Sequence, residues 1–537
     1  MGSSPTTGTN SNCACSNELG ADGSATDTKT DTSPTTPRVS PDNPLGSREL
    51  LGNGSVPARL PSRLRETNEN TLSPNVPRKP QRKLLGASAR DLTIRALTCP
   101  KEQPQDFRMA VSLQHLAFSL SRLARLMAAF ALLLSLTVRA GDWPQFRGPE
   151  GNGVGQEDKA PLHWGPTNNV RWKATLPGPG NSSPIVSHGR VFVTCAEDSG
   201  KKRNLYCFDR RTGKELWVRT VEFPIVEPTY PSNPYCGSTP VADGARVVVW
   251  HGSAGVFCYN FNGKELWKTD LGEVRNEYGY ASSPILHRGK IILNFGPGER
   301  AFLAALDLKT GKLLWKYDEP GGPKTLLKGN WGSWTTPIVA KVGGKEQILC
   351  SMLTQLVACD PKTGARLWFV EGLSEEKVAL IYPSPVVSGE IGVAFSGYVN
   401  GPTFGFKLGG AGDVTASNRL WLEKQTQRVG SGVVVGGNVF IVNAGPGTAQ
   451  CMECQTGKVR WIERLEGGES WGSVVLAAGR LYVTSRKGVT TVFRPDPEKL
   501  EVLAMNDLGE SSNATPAISD GQIFLRTDGH LYCIAED

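Results

Sequence analysis

The chain has no apolar run long enough to cross a bilayer. Its longest, Leu126–Val138, is 13 residues in 537, against the roughly 20 that a spanning helix needs. Histidine is scarce, at six residues. His163, His188, His251, His287 and His530 are scattered with no ligand spacing, so they are read as turn residues in solvent. There is no Gly-rich phosphate loop, no His-Arg-Asp and no Asp-Phe-Gly, which removes a kinase; His287-Arg-Gly289 reads as a strand turn. Charge of one sign is lacking too. Residues 1–140 hold 17 Lys/Arg against 11 Asp/Glu, so of the whole-chain +8 only +2 belongs to residues 141–537. Nucleic-acid binding thereby loses its compositional support.

The front of the chain lacks aromatic and β-branched clusters. Residues 1–108 are rich in Ser, Thr, Pro, Asn and Gly, a composition that buries too little apolar surface to offset its ordering entropy and so reads as a disordered extension. Residues 109–140 then read as a Sec-type signal peptide. Arg122 and Arg125 precede the apolar core, and Val138-Arg-Ala140 supplies a small-x-small cleavage site after Ala140. A start of translation at Met109 or Met127 explains so late a signal; a genuine long precursor extension is the alternative. No Cys follows the cleavage site, so no lipid anchor is expected. The mature protein is read as exported to the periplasm or beyond, with no permanent membrane anchor.

What is present is a repeat. Asp209-Arg-Arg-Thr-Gly213-Lys-Glu-Leu-Trp217 returns as Asp307-Leu-Lys-Thr-Gly311-Lys-Leu-Leu-Trp315 and Asp360-Pro-Lys-Thr-Gly364-Ala-Arg-Leu-Trp368, with weaker copies ending at Trp267 and Trp461. The Asp side chain can bond nearby amides and Gly tolerates positive φ, so each copy is a hairpin turn. Trp217, Trp267, Trp315, Trp368, Trp421 and Trp461 fall 40 to 53 residues apart. That period, built of strands and turns, indicates a β-propeller. Each unit opens on a small residue and a proline, as at Ser183-Pro184, Thr239-Pro240 and Thr515-Pro516. Seven complete units begin near 182, 238, 282, 335, 383, 431 and 473. In the seventh, Val502-Leu503 stands where the Trp strand belongs. An eighth, Ala514 to Ile534, stops after its third strand. Val170-Arg-Trp172-Lys-Ala-Thr-Leu176 has strand character and no unit of its own. The expectation is an all-β, eight-bladed propeller over 166–537, four antiparallel strands per blade, closed by residues 170–176. Residues 141–165, rich in Gly and Pro, are read as a strap lying on it.

The Asp-x-x-Thr-Gly-Lys-x-x-Trp units resemble the PQQ-like (pyrroloquinoline-quinone-type) propeller repeat over roughly residues 165–537, and Gly141-Asp-Trp-Pro-Gln-Phe-Arg-Gly-Pro resembles the opening of its secreted bacterial group. The resemblance covers quinoprotein alcohol dehydrogenases and the outer-membrane protein assembly lipoprotein, so it implies the fold and leaves function open. Those dehydrogenases carry an adjacent Cys-Cys pair over the cofactor, and many a Cys-x-x-Cys-His segment. Here no Cys-Cys occurs, and Cys451-Met-Glu-Cys454 is followed by Gln455 and runs into a hairpin turn. Cys207, Cys258, Cys451 and Cys533 share one slot of the repeat, read as small buried packing residues. Cys195 and Cys207 could bridge neighbouring strands in an exported protein.

Trp172, Trp217, Trp267, Trp315, Trp368, Trp421 and Trp461 are read as inter-blade packing. The loops joining one blade to the next surround one mouth of the channel, and the first four are long. Ligand-binding candidates on them are Tyr235, Arg275, Glu277, Tyr280, Trp331, Trp334 and Tyr382, with Trp471 in a comparable place later. These rings suit either sealing of the channel or recognition of a peptide, sugar or planar ligand. The expectation is a monomeric, non-catalytic binding or scaffolding module. Its partner is a protein or peptide, engaged at the long-loop face or by β-addition at a blade edge, or else a small ligand. The alternative is a divergent oxidoreductase using PQQ with Ca²⁺ at the same mouth. No catalytic residue and no metal ligand is assigned.

Overall fold

A computed structural model describes residues 141–298, 300–319, 331–374, 379–397, 400–425 and 428–536. The disordered extension and the signal peptide read from the sequence lie outside these residues. No helix among the described residues is long and apolar enough to cross a membrane.

Eight four-stranded antiparallel sheets stand in a ring, making an eight-bladed β-propeller. Blade 1 runs Ile185–Ser187, Arg190–Glu197, Lys202–Asp209 and Glu215–Glu222, from the channel outward. Its inner strand begins directly after Pro184, where no ladder donor is needed. Blade 8 consists of Ala517–Ser519, Gln522–Arg526 and His530–Ile534, with Val170–Thr175 as its outermost strand. Trp172 pairs with Cys533 and Thr175 with His530, and the Leu176 amide donates to Gly529 O at 2.8 Å. Strands from both ends of the ring therefore share one sheet. Blade 4 carries a fifth strand, Gly412–Asp413, parallel to Arg366–Glu371.

The repeat turn works as its residues dictate. Asp209 Oδ1 accepts from the Thr212 amide at 2.9 Å and the Thr212 hydroxyl at 2.7 Å, and Asp307–Thr310 and Asp360–Thr363 repeat the arrangement. Each turn docks on the tryptophan of the blade before it. The indole N–H of Trp217 donates to Phe261 O at 3.0 Å, Trp267 to Leu308 O at 3.0 Å, Trp315 to Pro361 O at 3.2 Å and Trp461 to Asp496 O at 3.0 Å. Trp421 donates to Cys454 O at 2.9 Å, and Trp172 crosses the closing seam to Arg210 O at 2.8 Å. Trp368 departs from the series, bonding Gln347 Oε1 of its own blade at 2.8 Å, because blade 5 has a loop and the short helix Thr415–Asn418 where the Asp turn would be.

Opposite each tryptophan the ladder places a small residue: Cys207 faces Trp217, Cys258 Trp267, Cys451 Trp461 and Cys533 Trp172. Burial pushes each of these four thiols up to about 12, so they are packing groups rather than nucleophiles. In blade 7 the register puts Ala504 in the tryptophan position. The following blade has no outer hairpin turn to receive an indole N–H, since its fourth strand comes from the other end of the ring. Trp164 of the strap belongs to the same apolar cluster as Ala504.

Two readings of the sequence are corrected. All nine cysteines after residue 140 are free and buried; Cys195 lies opposite Asn204 and Cys207 opposite Phe192, so no bridge joins them. Nor are the histidines uniformly solvated. His251 is fully buried and His287 nearly so, while His188 Nδ1 lies 2.9 Å from Asp142 and His530 Nδ1 2.9 Å from Glu510. His188 keeps the exposed turn position read from the sequence, His530 is half-buried, and only His251 and His287 are covered by neighbouring residues.

Candidate functional site

The small residue that opens each inner strand faces the channel, and together these residues form a closed girdle. The Ser183 amide donates to Thr239 Oγ1 at 2.9 Å, Thr239 to Ser283 Oγ at 3.0 Å and Ser283 to Thr336 Oγ1 at 3.1 Å. The link from blade 4 to blade 5 reverses, with Ser384 Oγ donating to Thr336 O at 2.8 Å. Ser384 to Ser431, Ser431 to Ser473, Ser473 to Thr515 and Thr515 back to Ser183 complete the circuit at 2.9–3.0 Å. At seven of the eight junctions a hydroxyl thus satisfies an amide of the neighbouring blade, and at the eighth it satisfies a carbonyl, which explains why every unit opens on Ser or Thr.

Above the girdle lies a cavity of about 530 Å³ that opens toward the long loops. Its floor includes Phe146 of the strap. The strap is held beneath the ring by Trp143, which pairs with Val186, and by Ala242 N–H donating to Pro144 O at 2.8 Å. Next to Phe146, Arg147 is fully buried, donating through Nη2 to Asn152 O at 2.9 Å and to Gly432 O. Burial alone pulls its guanidinium down to about 9. The channel is therefore a cup rather than a pore.

One wall of the cup is an arc of aromatic rings. Tyr230 and Tyr278 are 5.6 Å apart, Tyr278 meets Trp334 edge-on at 6.2 Å, and Trp334 meets Tyr382 at 5.2 Å. Trp334 is buried with its indole N–H on Gly279 O at 2.9 Å, whereas Tyr230 is 50% exposed at its loop tip. A short parallel sheet, Trp331–Ser333 with Ala379–Ile381, ties the third and fourth loops together and fixes Trp334 and Tyr382. Across the cup, Arg486 lies 4.9 Å from the Trp471 ring and 3.0 Å from Glu469 Oε2. Both partners of that ion pair are well exposed, so it contributes about 0–1 kcal/mol and serves to position rather than to stabilise. Between the walls sit side-chain amides: Asn181 Nδ2 donates to Ser232 O at 3.0 Å, and Asn233 Nδ2 to Tyr278 O at 2.7 Å.

Of the residues singled out by sequence, Trp334, Tyr382 and Trp471 line this cup together. Trp331 contributes its backbone to the parallel sheet; its side chain lies outside the described residues. Tyr235 and Tyr280 do not reach the cup, and both flank Arg203 instead, at 5.9 and 5.8 Å. Arg203 is buried against Glu227 of the first long loop, and Tyr235 OH donates to Glu227 O at 2.7 Å. This buried ion pair draws the two rings beneath the loop. Arg275 and Glu277 are exposed, Arg275 pairing with Glu273 at 2.5 Å. Tyr230, Tyr278, Asn233, Glu469 and Arg486 line the cup without having been singled out. Tyr230, Tyr278 and Asn233 share the long loops of aromatics that were, and Glu469 stands two residues before Trp471, whereas Arg486 comes from the turn between strands Arg480–Thr484 and Val489–Phe493, which no pattern in the sequence marks. All the tryptophans read as inter-blade packing lie outside the cup lining.

An eight-bladed ring of Trp-docked blades enclosing a cup defines the molecule as a PQQ-like propeller. The chain belongs to the family whose model is described as outer membrane protein assembly factor BamB, which matches residues 157–222, 201–463 and 450–537. It is 24% identical over 366 residues to outer membrane protein assembly factor BamB of Burkholderia pseudomallei (strain K96243), covering 65% of this chain and 83% of that protein. It is also 26% identical over 202 residues to a polyvinylalcohol dehydrogenase of a Pseudomonas species, covering 32% of this chain and only 30% of that enzyme's length. Among solved structures, the quinohemoprotein alcohol dehydrogenase of Comamonas testosteroni shares the fold, with a TM-score of 0.53 at 13% identity, covering 75% of this chain and 82% of that one.

Proposed function

We propose that this chain is an exported, monomeric binding propeller that takes an extended peptide segment of a protein partner into the cup. The observation that carries the reading is the pairing of two unlike walls across one cavity, the Tyr230–Tyr278–Trp334–Tyr382 arc and the Trp471–Arg486 stack. Rings give apolar contact at low entropic cost, and the carboxamides between them offer donors and acceptors to a peptide backbone. The likeness to an assembly factor over most of its length supports the same reading. Export rests on the sequence of residues 109–140.

The quinone alternative asks the cup to hold a flat tricarboxylate and a divalent cation. Arg486 is the cation on the lining, and Glu469 already neutralises it. Among the described residues no three His, Cys, Asp or Glu side chains converge as a metal requires. These residues do not fit that group.

Panning a random-peptide display library against the purified protein, followed by calorimetry on recovered peptides, tests the reading. Peptides should bind the parent and lose affinity on Trp471→Ala and Tyr230→Ala. Stoichiometric binding of PQQ with Ca²⁺, accompanied by dye-linked alcohol oxidation, would overturn it, as would peptides indifferent to both substitutions.

A further inference from the structure

The strap caps only part of the ring's underside. The inner strand of each blade is a sheet edge, and its middle residue turns N–H and C=O toward the channel, away from the ladder. Strap residues satisfy these groups on four blades. Val186 N–H donates to Trp143 O at 2.9 Å, Ala242 to Pro144 O at 2.8 Å and Leu476 to Gly153 O at 2.8 Å. Leu286 N–H donates to Gln145 Oε1 at 3.0 Å. Blade 8 buries its equivalent residue, Ile518, completely, and by register the equivalents in blades 4, 5 and 6 are Val339, Val387 and Val434, which face Ile348, Gly392 and Val439. Among the described residues no hydrogen bond reaches the outward N–H or C=O of any of these three. They line an open groove of about 780 Å³ between the strap and blades 3 to 6.

Three consecutive uncapped edges are an invitation to β-addition, and the strap shows within the same molecule how such an edge is met. The groove's chemistry narrows the occupant. Its wall is apolar, with Leu286 and Ile338 beside the three valines, while carboxylates from Glu150, Glu346 and Glu390 outnumber the single lysine, Lys341. Glu346 is already engaged by Arg288 at 2.5 Å and lies 3.4 Å from His287. Glu150 and Glu390 are exposed on the rim. The groove shares no lining residue with the cup, from which the strap divides it.

We propose that this groove is a second peptide site, which binds an extended partner segment of alternating β-branched and basic residues by backbone pairing with Val339, Val387 and Val434. The strand places apolar side chains against the wall, and its Lys or Arg side chains meet Glu150 and Glu390.

Hydrogen exchange of the purified protein tests this, using three capped heptapeptides: alternating valine and lysine, the same peptide N-methylated on its pairing amides, and alternating valine and glutamate. In the free protein the Val339, Val387 and Val434 amides should exchange about tenfold or more faster than Val186 and Leu476. The valine–lysine peptide should slow them about tenfold, and the other two should not. Glu390→Lys, an exposed turn substitution, should weaken binding about tenfold, and Trp471→Ala in the cup should leave it unchanged. Equal protection in the free protein, protection arising from self-association without peptide, or binding indifferent to N-methylation and to Glu390→Lys would overturn the proposal.

Discussion

Gly213 lies flat against the indole ring of Trp172, joining blade 1 to blade 8 across the seam. A methyl on Gly213 would fall 2.5 Å from the ring, and the residue sits at φ +68°. The same contact recurs between Gly311 and Trp267, Gly364 and Trp315, and Gly457 and Trp421. Glycine is needed twice over here, for the left-handed backbone and for the close approach.

Gly213→Ala should therefore lower stability by about 2–4 kcal/mol, combining left-handed strain with overpacking. Gly289→Ala is the control, since φ is +74° there but nothing lies within 4 Å of a new methyl. It should cost about 1 kcal/mol. Equilibrium denaturation of both variants measures the difference, and equal losses would show that the Trp172 contact is not tight.

The hydroxyl girdle yields a second expectation. Thr239→Val keeps shape and β-branching but leaves the buried Ser183 amide without its acceptor. The loss should be about 1–3 kcal/mol in denaturant midpoint experiments, and hydrogen exchange at Ser183 should quicken. An unchanged rate at that amide would mean that another acceptor takes over.

His251 gives a pH dependence of definite sign. Burial, reinforced by the neighbouring Arg203 charge, pulls its imidazole down from 6.5 to about 3, and neither ring nitrogen has a partner among the described residues. Below pH 6.5 the unfolded chain takes up a proton that the folded one refuses, so stability falls as pH drops from 6.5 toward 3. His251→Leu removes this contribution. Relative to the parent, the variant should gain up to about 1.4 kcal/mol per pH unit over that window. Parallel stability–pH curves would show that His251 is protonated in the fold.

In the cup, Trp471→Ala should weaken a recovered peptide ligand by about 10- to 100-fold. Tyr235→Ala, whose ring is turned toward Arg203, should change affinity less than about twofold. Calorimetry on both variants separates lining from bystander. The reverse ranking would relocate the site beneath the first long loop.

The ring was legible because its turns are local chemistry. An Asp bonding the amide three residues on, a Gly at positive φ and a Trp seven or eight residues after the Asp or Asn leave little choice of structure. Even the closing strand could be found, since an eighth unit one strand short needs a donor. The cup was legible only in part. Trp334, Tyr382 and Trp471 reach it because they stand close ahead of an inner strand, whose direction is set by the blade. Tyr235 and Tyr280 stand equally close, yet the Arg203–Glu227 pair, brought together across 24 residues, redirects them. Tyr230 and Tyr278 depend on a contact between two different loops, Asn233 Nδ2 to Tyr278 O, which no spacing within either loop announces.

The shared eighth blade makes closure a property of the whole molecule. Until His530–Ile534 exist, Val170–Thr175 has no ladder to join, and seven finished blades form an arc with two raw edges. The strand His530–Ile534 thus decides whether Val170–Thr175, more than 350 residues earlier, is placed at all. A circular permutant that links the present ends and opens the chain between blades 4 and 5 would move that dependence to the opposite side of the ring.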